Sequence, residues 1–122
     1  MNRVRTSLAL SLSEPPKAPK SSKYGNKKTV VDGITFDSAR EAKRYGELKL
    51  LERAGEITGL KLQQPYPLIV AGKLVCTYVS DFVYLEKDGR VVVEDSKGFR
   101  TDVFKIKAKL FEAVIGFPIR EV

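Results

Sequence analysis

Two stretches hold side chains that could do chemistry together. "YVSDFVY" places Asp81 in a β-prone run, and "VVVEDSKG" ends three valines in Glu94, Asp95 and Lys97. Residues two apart in a strand share a face, so Asp95 and Lys97 point one way and Glu94 the other. The intervening "KDG" (87–89) suits a three-residue hairpin loop with Gly89 left-handed. Glu86 would then pair with Arg90, and Asp81 would land opposite Asp95. Like charges directly opposed destabilise a sheet, and an unpaired buried carboxylate is costly. Lys97 offsets one charge. Mg²⁺ would offset the rest, because it accepts one or two carboxylates together with phosphate oxygens and water. A cross-strand ion pair of Asp81 with Lys97 is the plainer account, and it leaves Asp95 without a role.

Absences narrow the chemistry further. The chain has no histidine and a single cysteine, Cys76. A Cys/His zinc site, a Ser-His or Cys-His nucleophile pair and an internal disulfide are therefore excluded, and a reducing compartment fits. A length of 122 residues suits one core. The net charge of +7 is concentrated: residues 1–28 carry seven Lys/Arg against one acid, whereas 29–122 are nearly balanced. The expected organisation is a basic, disordered arm over 1–28, with Lys27 and Lys28 at its end, ahead of a domain over 29–122. Such an arm suits non-specific nucleic-acid binding or simply solubility. No apolar run approaches the ~20 residues of a membrane-spanning helix. The opening "MNRVRTSLALSLS" is too short and too broken by serines for a secretory leader.

The elements that must position these groups follow from local signals. "TVVDGITF" reads as a hairpin turning at Asp32-Gly33. A helix is expected from about Ser38 to Ala54, stopped by Gly55. Its wheel places Glu41, Tyr45, Leu48 and Glu52 on one stripe, with Arg40, Lys43, Arg44 and Glu47 on the opposite flank. Glu41 can complete a capping box with Ser38 or join the acidic site, and both roles can hold at once. Strands are expected near 60–70, over 74–86 and over 90–97. A second helix over 102–115 is capped by Thr101 or Asp102 and stopped by Gly116, with a core stripe of Val103, Ile106, Leu110 and Val114. Lys107 lies within that stripe, where it either snorkels to solvent or reaches a phosphate. A last short strand follows. The fold class is α+β or mixed α/β on one central sheet.

Taken together, "SAREAKRY", "QQPYPL", "YVSDFVY", "VEDSKG" and the following Lys-rich helix resemble the PD-(D/E)XK nuclease superfamily over about 24–122. The likeness is to its small phage-type endonucleases, junction resolvases and the nuclease subunit of heteromeric transposases. It implies a restriction-endonuclease-like mixed sheet flanked by two helices. Glu41 matches the helix glutamate, Asp81 the aspartate of the PD element, and Asp95 with Lys97 the (D/E)-x-K pair. Gln64 before Pro65 matches a glutamine-proline step in the transposase-like members. Ser80 stands where proline is usual. Glu94 competes with Asp95 for the second acid, and strand alternation favours Asp95.

The resemblance implies a metal-dependent endodeoxyribonuclease. Asp81, Asp95, the Ser96 carbonyl and Glu41 would hold Mg²⁺ or Mn²⁺, and Lys97 would orient the attacking water. Arg100, Lys105, Lys107, Lys27 and Lys28 would neutralise flanking phosphates. DNA is the expected partner, and a two-fold homodimer would suit symmetric cutting of two strands. A phage-encoded enzyme would act in the cytoplasm of its bacterial host. The alternative is a non-catalytic DNA-binding or architectural protein with the same fold.

Overall fold

The computed structural model describes residues 28–122. The proposed arm, including Lys27, lies outside the described residues apart from Lys28. The described residues fall into two units divided after Ala39. In the first, β1 (Thr29–Val31) and β2 (Ile34–Phe36) form an antiparallel hairpin. Asp32 and Gly33 both take positive φ, at 54° and 75°. That is the two-residue turn an Asp-Gly step favours.

The second unit begins within α1 (Ala39–Arg53). At its end Gly55 takes φ 79°, its N–H donates to the Glu52 carbonyl, and the Glu56 N–H reaches back to Leu51. This paired closure satisfies carbonyls the helix would otherwise leave bare. A Cβ at position 55 would meet nothing within 4 Å. Gly55→Ala should therefore cost only the left-handed backbone penalty, about 1–2 kcal/mol in urea unfolding.

Two segments expected as single strands are each broken in the middle. Residues 57–70 give β3 (Ile57–Leu62) and β4 (Pro65–Val70); residues 73–86 give β5 (Lys73–Val79) and β6 (Phe82–Glu86). β4 pairs with β5, and β3 with β6, both antiparallel. The breaks face each other. Gln63 N–H donates to the Asp81 carbonyl at 3.2 Å, while Ser80 N–H and Oγ both donate to the Gln64 carbonyl, at 2.9 and 3.1 Å. Pro65 and Pro67 supply the cause: each removes a donor, and Pro65 restricts the backbone of Gln64. Gln63 absorbs the bend at φ 53°. The expected α+β class is found, with two helices and a mixed sheet of four strands; the remaining strands form separate two-stranded ladders.

That sheet has the order β3-β6-β7-β8, with β7 (Val91–Asp95) antiparallel to β6 and parallel to β8 (Arg120–Glu121). α2 (Asp102–Ile115) makes the crossover a parallel pair requires. Its cap is Thr101, whose Oγ1 accepts from Phe104 N–H at 3.0 Å, and it ends at Gly116 with φ 106°. Leu68, Tyr78, Val93, Phe104, Phe111 and Ile119 form a core, with the ring edges of Tyr66, Tyr78 and Phe117 packed around Phe111 at 5.2–5.7 Å. The expected stripe on α2 holds in its second half and is corrected in its first. Leu110 and Val114 pack against the core with Phe104, Ala108, Phe111 and Ile115, whereas Val103 and Ile106 are 63% and 67% exposed. The inward face is centred on the two phenylalanines, whose aromatic area outweighs that of Val103 and Ile106. Among the described residues, no helix is long and apolar enough to cross a membrane.

Candidate functional site

The site begins where the ladder between β6 and β7 opens. Phe82 pairs with Glu94 and Val83 with Val93. At the turn, Glu86 N–H donates to the Arg90 carbonyl at 2.9 Å and Gly89 takes φ 88°. This is the register read from "KDG". It continues through Asp81 N–H, which donates to the Glu94 carbonyl at 3.1 Å, and so sets Asp81 opposite Asp95. The break in the β5–β6 segment thus falls at the aspartate itself.

One oxygen of each carboxylate is fixed by a neutral donor. Asp81 Oδ2 accepts from Ser96 N–H at 2.8 Å, and Asp95 Oδ2 accepts from Tyr78 OH at 2.6 Å. Asp95 is only 1% exposed. Its Oδ1 lies 3.1 Å from Lys97 Nζ, close enough for an ion pair, yet this buried oxygen has no hydrogen bond. Lys97 also sits over the Phe104 ring, 4.8 Å from its centroid. Burial pushes the Asp81 carboxyl up to about 6; the Asp95 carboxylate adds to this, and Ser96 N–H and Lys97 oppose it. Burial, then the bond to Asp95, pushes the Tyr78 phenol well above its usual range. Two carboxylates under this strain, one with an enclosed unsatisfied acceptor, are a donor set suited to a hard, oxygen-preferring cation.

The remaining candidates are placed as follows. Glu41 accepts from Gln63 Nε2 at 3.4 Å, beside the bend. Among the described residues, no three His, Cys, Asp or Glu side chains converge as a metal-holding group. Ser96 meets Asp81 through its N–H. Gln64 gains a physical role, because its carbonyl ties the two chain breaks together through Ser80. A proline at position 80 would forfeit the N–H of that tie. Arg100 pairs with Glu121 at 2.8 Å, Lys105 with Asp102 at 3.8 Å and Lys28 with Asp37 at 3.3 Å. Lys107 Nζ donates to the Thr77 carbonyl at 3.4 Å. The exposed ion pairs among these are weak enough to be exchanged for a stronger anion.

Glu94 is fully buried on the other face of β7 and does not join Asp81. Arg44 grips it with two hydrogen bonds, Nε to Oε1 at 2.9 Å and Nη2 to Oε2 at 2.6 Å, and Tyr84 OH donates to the same Oε2. Arg120 continues the network to Tyr84 OH at 3.3 Å and to Glu86 at 3.1 Å. The bond to Glu94 holds the Arg44 guanidinium above its usual range. Burial, then Glu94, pushes the Tyr84 phenol up to about 12. Sequence reasoning missed Arg44, Tyr78 and Tyr84. Arg44 was assigned to the outer flank, yet it precedes the buried Leu48 by four residues and so shares its face. The tyrosines stand three residues to either side of Asp81, a signal visible in "YVSDFVY".

A protein-family model described as "Protein of unknown function (DUF1064)" matches residues 21–118. No curated protein and no solved structure matches the chain.

Proposed function

The chain belongs to the DUF1064 family, and from the geometry of its own residues we propose that it is a metal-dependent endonuclease hydrolysing DNA phosphodiester bonds. The observation that carries this reading is the Asp81–Asp95 pair, held at the open end of a ladder beside Lys97. Structural pairing alone gives no reason for two carboxylates to share this place. The same chain resolves its other buried acid, Glu94, with a bidentate arginine and a tyrosine. At Asp95 it leaves one buried oxygen without a hydrogen bond.

Asp81 and Asp95 would hold Mg²⁺ or Mn²⁺; both offer hard oxygens, and Asp95 Oδ1, which has no hydrogen bond and only the Lys97 ion pair, fits that use. Bound there, the cation supplies charge stabilisation at the phosphoryl oxygen and lowers the pKa of a water. The chain's own residues do the rest. Tyr78 OH and Ser96 N–H fix the two carboxylates so that their remaining oxygens stay aimed. Lys97 places an ammonium at the lip, where it orients the attacking water and offsets the charge that builds on the phosphate oxygens. Water adds to phosphorus and gives up a proton to solvent, the bond to the leaving oxygen breaks with its electron pair going to that oxygen, and that oxygen takes up a proton from solvent. Glu41, beside Gln63, would act from outside the carboxylate pair. A lone cysteine, which forms no disulfide within the chain, fits a reducing compartment.

Incubation of the protein with plasmid and branched DNA tests this. Cleavage should appear with Mg²⁺ or Mn²⁺, stop with EDTA, and fall by more than about 10²-fold in Asp95→Ala, exceeding the loss seen even for outer-sphere partners of metal ligands. Binding that survives both EDTA and Asp95→Ala, with no cleavage by the wild type, would instead identify a non-catalytic DNA-binding protein.

A further inference from the structure

A cavity of about 180 Å³ on the Glu94 side of β7 is lined by Arg40, Lys43, Arg44, Glu47, Ser96 and Val122, and Ser96, whose N–H donates to Asp81 Oδ2, joins it to the carboxylate pair. Three cations from successive turns of α1 face it, and they are not equally engaged. Arg44 is committed to the buried Glu94 and also binds Glu47 at 3.0 Å. Arg40 makes one bond, from Nη2 to the Val122 carbonyl at 2.9 Å. That bond fixes the guanidinium and leaves its other N–H groups for another acceptor. Lys43 is exposed and has no partner among the described residues. Ser96 lines the same cavity, and its enclosed Oγ has no hydrogen bond. An unsatisfied buried hydroxyl in a polar cavity is a position a ligand oxygen can complete.

Size and charge select the ligand. Pockets that enclose drug-sized molecules run to about 300–1,000 Å³, so this one takes a small group and not a nucleoside. Two available cations and a hydroxyl donor suit a phosphate. Its position is equally informative. Ser96 donates its N–H to Asp81 Oδ2 and lends its side chain to the cavity, so a single residue separates the two sites.

We propose that this cavity is a subsite for the backbone phosphate next to the one at the Asp81–Asp95 pair, so that a nucleic-acid strand runs from the carboxylates across the basic face of α1. The inference rests on the nuclease reading and adds the path of the substrate, through Arg40 and Lys43. Neither residue belongs to the cations expected to contact phosphate from sequence.

The test is binding without turnover. Fluorescence anisotropy of a duplex oligonucleotide is measured in EDTA across a salt series for the full chain. Wild type is compared with Arg40→Gln/Lys43→Gln and with the charge-matched Lys73→Gln/Lys87→Gln. Loss of one phosphate contact should make the slope of log K against log salt shallower by about 0.9 in the first double variant only. A slope unchanged in that variant, or changed equally in both, overturns the subsite while leaving the nuclease reading to the cleavage assay. A selective change without metal-dependent cleavage keeps the subsite and removes the hydrolysis. Absence of any nucleic-acid binding by the wild type removes both.

Discussion

Arg44→Met should destabilise the folded protein by about 3–5 kcal/mol, the loss expected when one partner of a buried ion pair is removed. Glu94 has no solvent exposure, and Tyr84 alone cannot offset its charge once the bidentate guanidinium is gone. Denaturant unfolding followed by circular dichroism measures this directly. Glu94→Leu combined with Arg44→Met should recover most of the loss, because a matched apolar pair leaves no stranded charge. A loss below about 1 kcal/mol in Arg44→Met would mean that water or another cation reaches Glu94 once the guanidinium is gone. The outcome also bears on the site, since the Glu94 carbonyl receives the Asp81 N–H and so helps fix where that carboxylate stands.

Asp81→Asn should stabilise the metal-free protein above about pH 6 while abolishing its response to magnesium. In the folded protein Asp81 takes up its proton at about 6; in the unfolded chain an aspartate does so near ~3.9. Between those values the folded state holds a proton that the unfolded state lacks. Raising the pH through that window therefore removes stability. Other carboxylates act in the opposite sense. Lys49 and the Leu60 N–H, for example, hold Glu52 below its usual range. The informative quantity is thus the difference in melting temperature between wild type and Asp81→Asn at each pH. It should grow in favour of the variant from about pH 4 to pH 7. At pH 7, Mg²⁺ in hundredfold excess over its Kd should return about 2.7 kcal/mol to the wild type and nothing to the variant. A difference that does not vary with pH would show that folding does not bury the Asp81 carboxylate at a cost.

Local chemistry carried much of this into the sequence. The Asp32-Gly33 turn, the stop at Gly55, the Thr101 cap, the Gly116 stop and the Glu86–Arg90 register depend on a few adjacent residues, and each is found in the structure. The facing of Asp81 and Asp95 followed from that register alone. What sequence did not disclose depends on partners distant along the chain. The split of 57–70 and 73–86 needed both proline-bearing and serine-bearing segments to bend at one place. The inward face of α2 was a choice between two adjacent stripes, decided by Leu68, Tyr78 and Val93 on other elements. Arg44 could be recognised as the partner of Glu94 only once α1 was known to lie over that face of β7.

Glu94 and Asp95 are neighbours in one strand, buried on opposite sides of it, and they meet different partners: one is gripped by Arg44 and Tyr84, the other faces Tyr78 and Lys97. Because the side-chain period of a strand is two, a one-residue insertion or deletion within β7 would exchange them, sending Glu94 toward the Asp81 side and Asp95 toward Arg44. Point changes at Val91, which is 43% exposed, carry no such penalty. Descendants of this sequence should therefore vary freely in composition at that position while keeping the length of the segment from Val91 to Lys97 invariant.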